Sequence, residues 1–236
     1  MLDHLSGGRL EIGLARGSSP LEAEAIGIPG DEMKPRFLEA LDIVEGLLES
    51  SEPYNYDGKF YKCENLSISP RPLQQPSPPR WITVVTPESA ALAGRRGYKI
   101  CAGFMSIERV AAVFDAYRAA AAEAGRTVSP EDIAIRRLLV VDEDGDVARA
   151  AGKLAFNSPG DPEELAAWLS PDEIVSGTPD EAYAELVRQS DFAGAGNFLI
   201  YGGFPLFRER FEHTVELYGR FVLPRLRDHV SMEVAA

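Results

Sequence analysis

Arg16 and its neighbour Gly17 are the residues whose types and position best suggest chemistry in an acidic chain. They directly follow an apolar stretch over residues 10–14, which predicts a short buried strand. A planar guanidinium pairs well with phosphate oxygens, and an adjacent glycine lets the backbone come close to a ligand. The pair therefore predicts a phosphate site at this strand end. A surface ion pair of Arg16 with Glu22 or Glu24 is the alternative.

Thr86, Glu88 and Ser89 are polar residues at a second predicted strand end. They follow an apolar stretch over residues 81–85 and begin a helix. The N-terminus of a helix offers free backbone N–H groups and the positive end of the helix dipole, and the Ser89 hydroxyl adds a donor, so the position suits phosphate oxygens. Thr86 is also a typical N-cap residue, and capping would position the same N–H groups. Because a carboxylate cannot favour a phosphate, Glu88 would instead hold an arginine or the hydroxyl groups of a ligand.

Arg36 is a third candidate for binding an anion. It lies near the start of a helix expected over residues 33–50. The alternative is an arginine at a helix start that is simply solvated.

Strands and helices are expected to alternate along the chain. Apolar stretches predict strands at residues 10–14, 81–85, 99–102, 133–141 and 197–201. Amphipathic stretches predict helices at residues 33–50, 88–95, 106–124, 143–155, 179–192 and 205–222. This alternation is typical of a parallel sheet covered by helices. A closed (β/α)8 barrel needs eight strands, so the sequence predicts an α/β fold of the incomplete TIM-barrel type with about five parallel strands.

The order of these residues resembles the luciferase-like flavin monooxygenases, the bacterial luciferase superfamily. Leu2-Asp3-(x)-Leu5-Ser6-(x)-Gly8-Arg9, followed by a strand that ends in Arg16-Gly17, is similar to the fourth-strand signature of that family. Further matches are Tyr54, Tyr56, Gly58 and Tyr61, which fit a small hairpin of that family in which the tyrosines pack together. Other matching positions are Ile26-Gly27, Arg36, Pro70-(x)-Pro72, Gln75-Pro76, Pro78-Pro79, Glu88-Ser89, Gly177-Thr178-Pro179 and, closing the last helix, Val222-Leu223-Pro224. The resemblance covers residues 2–227.

The resemblance implies a flavin site with the phosphate of FMN at Arg16. Its predicted residues are Arg16, Gly17, Arg36, Thr86, Glu88 and Ser89. It also implies a single domain over residues 1–236 that lacks the first three strands of the family barrel. The family usually places a histidine near the flavin ring from those early strands, so the proton-transfer residue of catalysis is not expected in this chain. Luciferases proper carry a cysteine where this chain has Ala15, which argues against light emission.

Three functions are consistent with this resemblance. The first is a monooxygenase that uses reduced FMN and dioxygen on a small organic substrate. Its reduced flavin would come from a separate reductase, since Gly194-(x)-Gly196 precedes a strand and lacks the strand-to-helix context of a dinucleotide-binding turn. The second is a deazaflavin-dependent dehydrogenase or reductase on the same scaffold. The third is a non-catalytic flavin-binding homologue.

Composition excludes several classes of partner. The net charge of −13 over 236 residues disfavours nucleic acids and anionic membranes, which require a basic surface. Two cysteines, Cys63 and Cys101, are too few for a disulfide framework, so a cytoplasmic location is expected, with Cys101 as a buried structural thiol. No metal site is expected, because histidines and cysteines are not clustered. An open sheet edge would favour a homo-oligomer.

Overall fold

A computed structural model of the chain describes residues 1–17, 19–155, 170–202 and 208–234. Its contacts divide it into two compact units, Met1–Ile82 and Thr83–Ala236. We describe each unit by itself.

Apart from residue 18, which the structure does not describe, the first unit contains three α-helices and four strands. Its helices are α1 (Leu2–Ser6), α2 (Pro20–Ala25) and α3 (Met33–Glu49), and its strands are β1 (Ile12–Leu14), β2 (Tyr54–Asp57), β3 (Lys62–Leu66) and β4 (Arg80–Thr83). β1 pairs with β4 in parallel, and β2 pairs with β3 in an antiparallel hairpin. The hairpin expected from the tyrosines at positions 54 and 56 is therefore confirmed. Gly7 ends α1 in the left-handed conformation at φ 67°, as its position in the sequence predicts.

The expectation of a buried first strand is wrong. β1 begins only at Ile12, its alternate residues are half-buried, and Gly13 between them is exposed. Leu10 lies outside the strand and is also only half-buried. A strand of three residues offers too few positions to bury both of its faces.

Asp3 fixes α1 within the first unit. Its buried carboxylate accepts hydrogen bonds from the backbone N–H of Leu73 at 2.7 Å and from the backbone N–H of Gln74 at 2.9 Å. The side-chain amide of Gln74 donates a third bond at 2.8 Å. These hydrogen bonds favour the charged carboxylate and lower the pKa of Asp3. Burial alone would raise this pKa, but its effect is the smaller one.

The second unit contains the longest strand and most of the helices. The helices are α4 (Pro87–Arg96), α5 (Ile107–Glu123), α6 (Gly145–Ala155), α7 (Pro179–Ala193), α8 (Arg208–Leu217) and α9 (Leu223–Val234). The strands are β5 (Lys99–Ala102), β6 (Ile133–Val141), β7 (Ile174–Gly177) and β8 (Asn197–Tyr201). β6 pairs in parallel with β5 near its start, with β7 near its end, and with β8 from Ala134 to Leu138.

The predicted alternation of parallel strands and helices is confirmed, with one strand added. β7 was not expected, because its sequence Ile-Val-Ser-Gly is short and follows a stretch rich in Pro, Asp and Glu. The Pro, Asp and Glu content of residues 156–173 predicts a surface loop, which lies mostly outside the described residues. Its last part, Pro171–Glu173, forms a 3-10 turn that leads into β7.

The end of the last helix was predicted wrongly. Instead of closing at Pro224, the helix passes through a π turn at Tyr218–Val222 and continues as α9. Proline has no N–H to donate and its ring clashes with the carbonyl four residues earlier. A π turn widens the helix directly before the proline, which lets the chain continue. Helical spacing predicts one apolar stripe that includes Phe211, Val215 and Val222. Val222 is buried, whereas Phe211 and Val215 are exposed and Leu217 is buried instead.

One core cluster of the second unit lies between the sheet and the helices α7 and α8 with the π turn. Its buried residues are Leu139, Val141, Val175, Ala182, Leu186, Leu217 and Val222. Cys101 is buried as expected, and burial raises the pKa of its thiol to about 11, which suits a structural role. In the described part of the chain, no helix is long and apolar enough to cross a membrane.

Candidate functional site

A cleft in the first unit contains three of the residues predicted to bind a cofactor. It has a volume of about 290 Å³ and is lined by Arg16, Gly17, Ser19, Glu22, Ala23, Ile26, Ile28, Met33, Arg36, Phe37, Ala40 and Tyr61. Two guanidinium groups thus lie at one cleft whose remaining wall is largely apolar. This combination suits a ligand that carries an anionic group on an apolar body.

Arg16 lies two residues beyond the end of β1. Its side chain is exposed, and in the described part of the chain no ion pair joins it to a carboxylate. The expected alternative, a surface ion pair with Glu22 or Glu24, is therefore not seen. Gly17 has φ 85°, a conformation that favours glycine, and the nearest atom to a Cβ placed there would be Met33 Cε at 3.9 Å.

Arg36 is held by its neighbours and is not a free solvated side chain. It forms an ion pair with Glu32 at 2.7 Å, and its guanidinium lies 4.5 Å from the centre of the Phe60 ring. Hydrogen bonding to Glu32, aided by Tyr61, raises the pKa of Arg36. The structure therefore positions Arg36 at the cleft and partly neutralises its charge.

Two polar groups line the cleft without having been predicted as part of a ligand site. Tyr61 was assigned to hairpin packing, yet it lines the cleft and contacts Arg36. Glu22, on α2, adds a carboxylate that opposes binding of an anion nearby. A signal was present for Glu22, since it lies six residues after Arg16 in a short helix capped by Ser19.

Thr86, Glu88 and Ser89 lie in the second unit, at the start of α4. Thr86 is the N-cap, as predicted, and its hydroxyl accepts a hydrogen bond from the Ser89 N–H at 3.2 Å. The Ser89 hydroxyl in turn donates to the Thr86 carbonyl at 2.8 Å. Both hydroxyls therefore serve a capping box, the structural role expected of this sequence. Glu88 is exposed in the first turn.

A cluster of possible metal ligands, not expected from the sequence, lies at the end of β6. Asp142, Glu143 and His213 have ligand atoms within 4.8 Å of one another. His213 bonds to Glu143 at 2.8 Å, and Arg210 lies 3.6 Å from Asp142. Arg210 already supplies a positive charge to this cluster. We therefore interpret these contacts as an ion-pair network that attaches α8 to the sheet.

Comparison with known proteins identifies the family. Residues 1–200 match the luciferase-like monooxygenases. The chain is 28% identical over 159 residues to the oxygenase component of flavin-dependent trigonelline monooxygenase from Acinetobacter baylyi, covering 65% of this chain and 43% of the relative. It is 25% identical over 256 residues to the FMNH(2)-dependent dimethylsulfone monooxygenase of Pseudomonas putida, covering 96% of this chain and 68% of the relative.

The fold agrees with solved structures of the same kind. A monooxygenase from Streptomyces bottropensis superimposes with a TM-score of 0.81 at 29% identity, over 95% of this chain and 71% of that protein. An F420-dependent secondary alcohol dehydrogenase shares the fold, with a TM-score of 0.74 at 18% identity, over 94% of this chain and 71% of that protein. The chain spans two thirds or less of the length of several curated relatives that it matches. It belongs to the luciferase-like monooxygenase family.

Proposed function

We propose that this chain is the flavin-binding part of an oxidoreductase, a monooxygenase that uses reduced FMN and dioxygen on a small organic substrate. The observation that carries the proposal is the cleft with Arg16 and Arg36 beyond the end of β1. The printed functions of the trigonelline and dimethylsulfone monooxygenases support the reaction class. The match to the family spans both units, which supports one luciferase-like domain over residues 1–236.

The residues at the cleft fit a phosphate group. Arg16 supplies an exposed guanidinium for charge-assisted hydrogen bonds, and Gly17 leaves room beside it. Arg36 supplies a second positive charge, reduced by Glu32. The apolar wall, formed by Ile28 and Phe37 among others, excludes water from the rest of a bound molecule. Bound reduced flavin would supply the reaction with dioxygen.

Thr86, Glu88 and Ser89 remain predicted flavin-binding residues, supported by the family resemblance alone. We further propose a separate flavin reductase as partner, because the trigonelline relative is described as an oxygenase component. A cytoplasmic location and self-association also remain proposals; the cysteine content supports the first and exposed sheet edges the second.

A deazaflavin-dependent dehydrogenase or reductase is the second candidate function. It is favoured by the structural similarity to the F420-dependent secondary alcohol dehydrogenase and by a relative from Archaeoglobus fulgidus, 5,10-methylenetetrahydromethanopterin reductase, at 23% identity. A non-catalytic flavin-binding homologue is the third candidate. Binding without turnover in the presence of a flavin reductase and dioxygen would favour that third function.

The decisive experiment compares FMN with riboflavin, which lacks the phosphate. We expect FMN to bind more tightly, and Arg16→Ala to weaken FMN binding about tenfold or more, since each charge-assisted hydrogen bond contributes about 1.5–3 kcal/mol. Riboflavin binding should barely change. Lys34→Ala removes an exposed positive charge that does not line the cleft and is the matched control.

Two results would overturn the assignment. Equal affinity for FMN and riboflavin would show that no group recognises the phosphate. An equal loss of FMN affinity in Arg16→Ala and Lys34→Ala would show that only the overall charge matters. Tight binding of coenzyme F420 without binding of FMN would favour the deazaflavin function.

A further inference from the structure

Phe104 has an unusual backbone conformation in an unusual place. It lies two residues beyond the end of β5, has φ 62°, and leaves 49% of its surface exposed. A bulky residue at positive φ is strained, and an exposed aromatic ring gains little from burial to offset that strain. Ligands of parallel sheets bind at the carboxyl ends of the strands. Phe104 therefore combines three signs of a binding residue.

Two carboxylates, one of them fully buried, hold this strained loop in place. The backbone N–H of Phe104 donates to the fully buried Glu173 at 2.7 Å. The N–H of Ile107 donates to Asp172 at 2.9 Å. Gly103 lies so close to Arg136 that an added Cβ would be 2.9 Å from the Arg136 Cβ. The loop is thus fixed to Pro171–Glu173 on one side and to β6 on the other.

A positive charge lies against the Phe104 ring. The guanidinium carbon of Arg136 is 3.2 Å from the centre of this ring and 4.2 Å from that of Tyr201, the last residue of β8. Its Nη2 donates to Glu173 at 2.8 Å and to the Tyr201 hydroxyl at 3.2 Å. Arg137, fully buried, contacts the same carboxylate at 3.1 Å. These hydrogen bonds hold the Arg136 guanidinium against the Phe104 ring.

We propose that Phe104, Arg136, Glu173 and Tyr201 form a binding platform for an electron-rich planar aromatic ring, which stacks on Phe104. A cation on one side of an aromatic ring draws π-electron density toward itself. The opposite side then becomes less negative, and stacking against an electron-rich ring becomes more favourable than against an electron-poor one. Glu173 acts as a positioning residue, since it fixes both the Phe104 backbone and the Arg136 charge.

This platform lies wholly in the second unit, and the proposal does not depend on a phosphate at Arg16. The test therefore uses two probes without phosphate, the electron-rich indole and the electron-poor quinoxaline, which have similar size. Their dissociation constants for the full chain can be measured by ligand-observed NMR titration. We expect indole to bind about threefold more tightly or better.

Variants separate the ring from the charge. Phe104→Gly removes the ring and relieves the positive φ, so the chain should fold and lose indole binding at least fivefold. Phe192→Leu removes a ring of similar exposure, 55%, on α7 and should leave indole binding unchanged. Arg136→Met should abolish the preference for indole over quinoxaline. If Arg136→Met does not fold, Arg136→Gln, which removes the charge and keeps an amide donor for Glu173, should abolish the same preference. A preference for indole that survives in the folded variant overturns the role of the charge.

The proposal is overturned if indole and quinoxaline bind equally, or if Phe104→Gly binds indole as the unchanged chain does. Equal effects of Phe104→Gly and Phe192→Leu would also overturn it, because they would indicate non-specific binding to exposed rings.

Discussion

One carboxylate oxygen of Glu32 accepts two hydrogen bonds from Arg36, from Nε at 2.9 Å and from Nη2 at 2.7 Å. The ion pair orients the arginine and at the same time cancels much of its charge at the cleft. Arg36 has further contacts with Phe60 and Tyr61 that do not depend on Glu32. Glu32 is therefore expected to reduce the affinity of the cleft for an anion more than it organises the cleft.

Glu32→Gln tests this expectation. Because the amide still accepts a hydrogen bond and no longer repels a phosphate, FMN should bind about two- to tenfold more tightly, a range set by the usual size of charge interactions near a surface. Riboflavin should bind as before. Glu24→Gln, on α2 and outside the lining of the cleft, is the matched control for net charge. Weaker FMN binding in Glu32→Gln would mean that Glu32 chiefly positions Arg36.

Gly94→Ala should destabilise the second unit although alanine usually favours a helix. A Cβ at position 94 on α4 would lie 2.5 Å from the carbonyl oxygen of Tyr117 and 2.9 Å from the backbone nitrogen of Ala121 on α5. Backbone cannot rotate away, so the two helices must separate, at a cost of about 1–3 kcal/mol. Thermal unfolding followed by circular dichroism measures this cost.

Gly219→Ala is the control for that measurement. Gly219 is exposed in the π turn and has no atom within 4 Å of the added Cβ. Its replacement should be neutral or stabilising by up to about 1 kcal/mol, the usual advantage of alanine over glycine in a helix. Equal melting temperatures for the two variants would show that α4 and α5 are not in close backbone contact.

Asp3→Asn should change how stability depends on pH. Hydrogen bonds from Gln74 and Leu73 lower the pKa of Asp3 below its usual value of 3.8, so the unfolded chain takes up the proton first as pH falls. The carboxylate therefore stabilises the fold above this usual value, and its contribution disappears at lower pH. The variant should melt several degrees below the unchanged chain at about pH 7, and the difference should be clearly smaller at about pH 3, because the contribution declines as the pH falls below 3.8.

The exposed Asp31 provides the control, since Asp31→Asn removes the same charge from a surface position. A difference between the Asp3 variant and the unchanged chain that is equally large at both pH values would show that packing, not charge, is lost.

Self-association should occur through the sheet edge at β8. This strand pairs with β6 on one side, and among the described residues no second strand pairs with it. Leu199 in its middle is 51% exposed. Light scattering at tens of micromolar, a range that covers moderate affinities, should report a species larger than the monomer. Leu199→Lys should shift it toward the monomer, because charges on an edge strand oppose pairing. A stable monomer before any substitution would contradict this prediction.

Local patterns in the sequence were enough to predict most elements of the fold. The nine apolar and basic residues of β6, the Gly7 turn and the Thr86 and Thr178 caps all have signals within a few positions. The arginine at the end of β1 was also recognisable from its neighbours. Such features depend on periodicity and on residue types with special backbone behaviour.

Features that depend on distant contacts were not predictable. Glu173 lies in a stretch whose Pro, Asp and Glu content suggests an exposed loop, yet it is fully buried because Arg136 and Arg137 neutralise it from β6. Tyr61 was assigned to the hairpin because nothing near it in the sequence points to Arg36. Both side chains are placed by charges many positions away, which a pattern of neighbouring residues does not contain.

The π turn at Tyr218–Val222 determines which residues of the following helix α9 face the core. Since each residue of an α-helix advances the chain by about 100° around the axis, one extra residue in a turn rotates the remainder by that angle. The buried residues Leu217 and Val222 are five positions apart, whereas Val222 and Leu226, which packs against the same core, are four apart. Phe221, which an uninterrupted helix would turn inward after Leu217, is exposed. In a related chain that lacks the extra residue of this turn, each core residue after the turn is therefore expected one position earlier in the sequence.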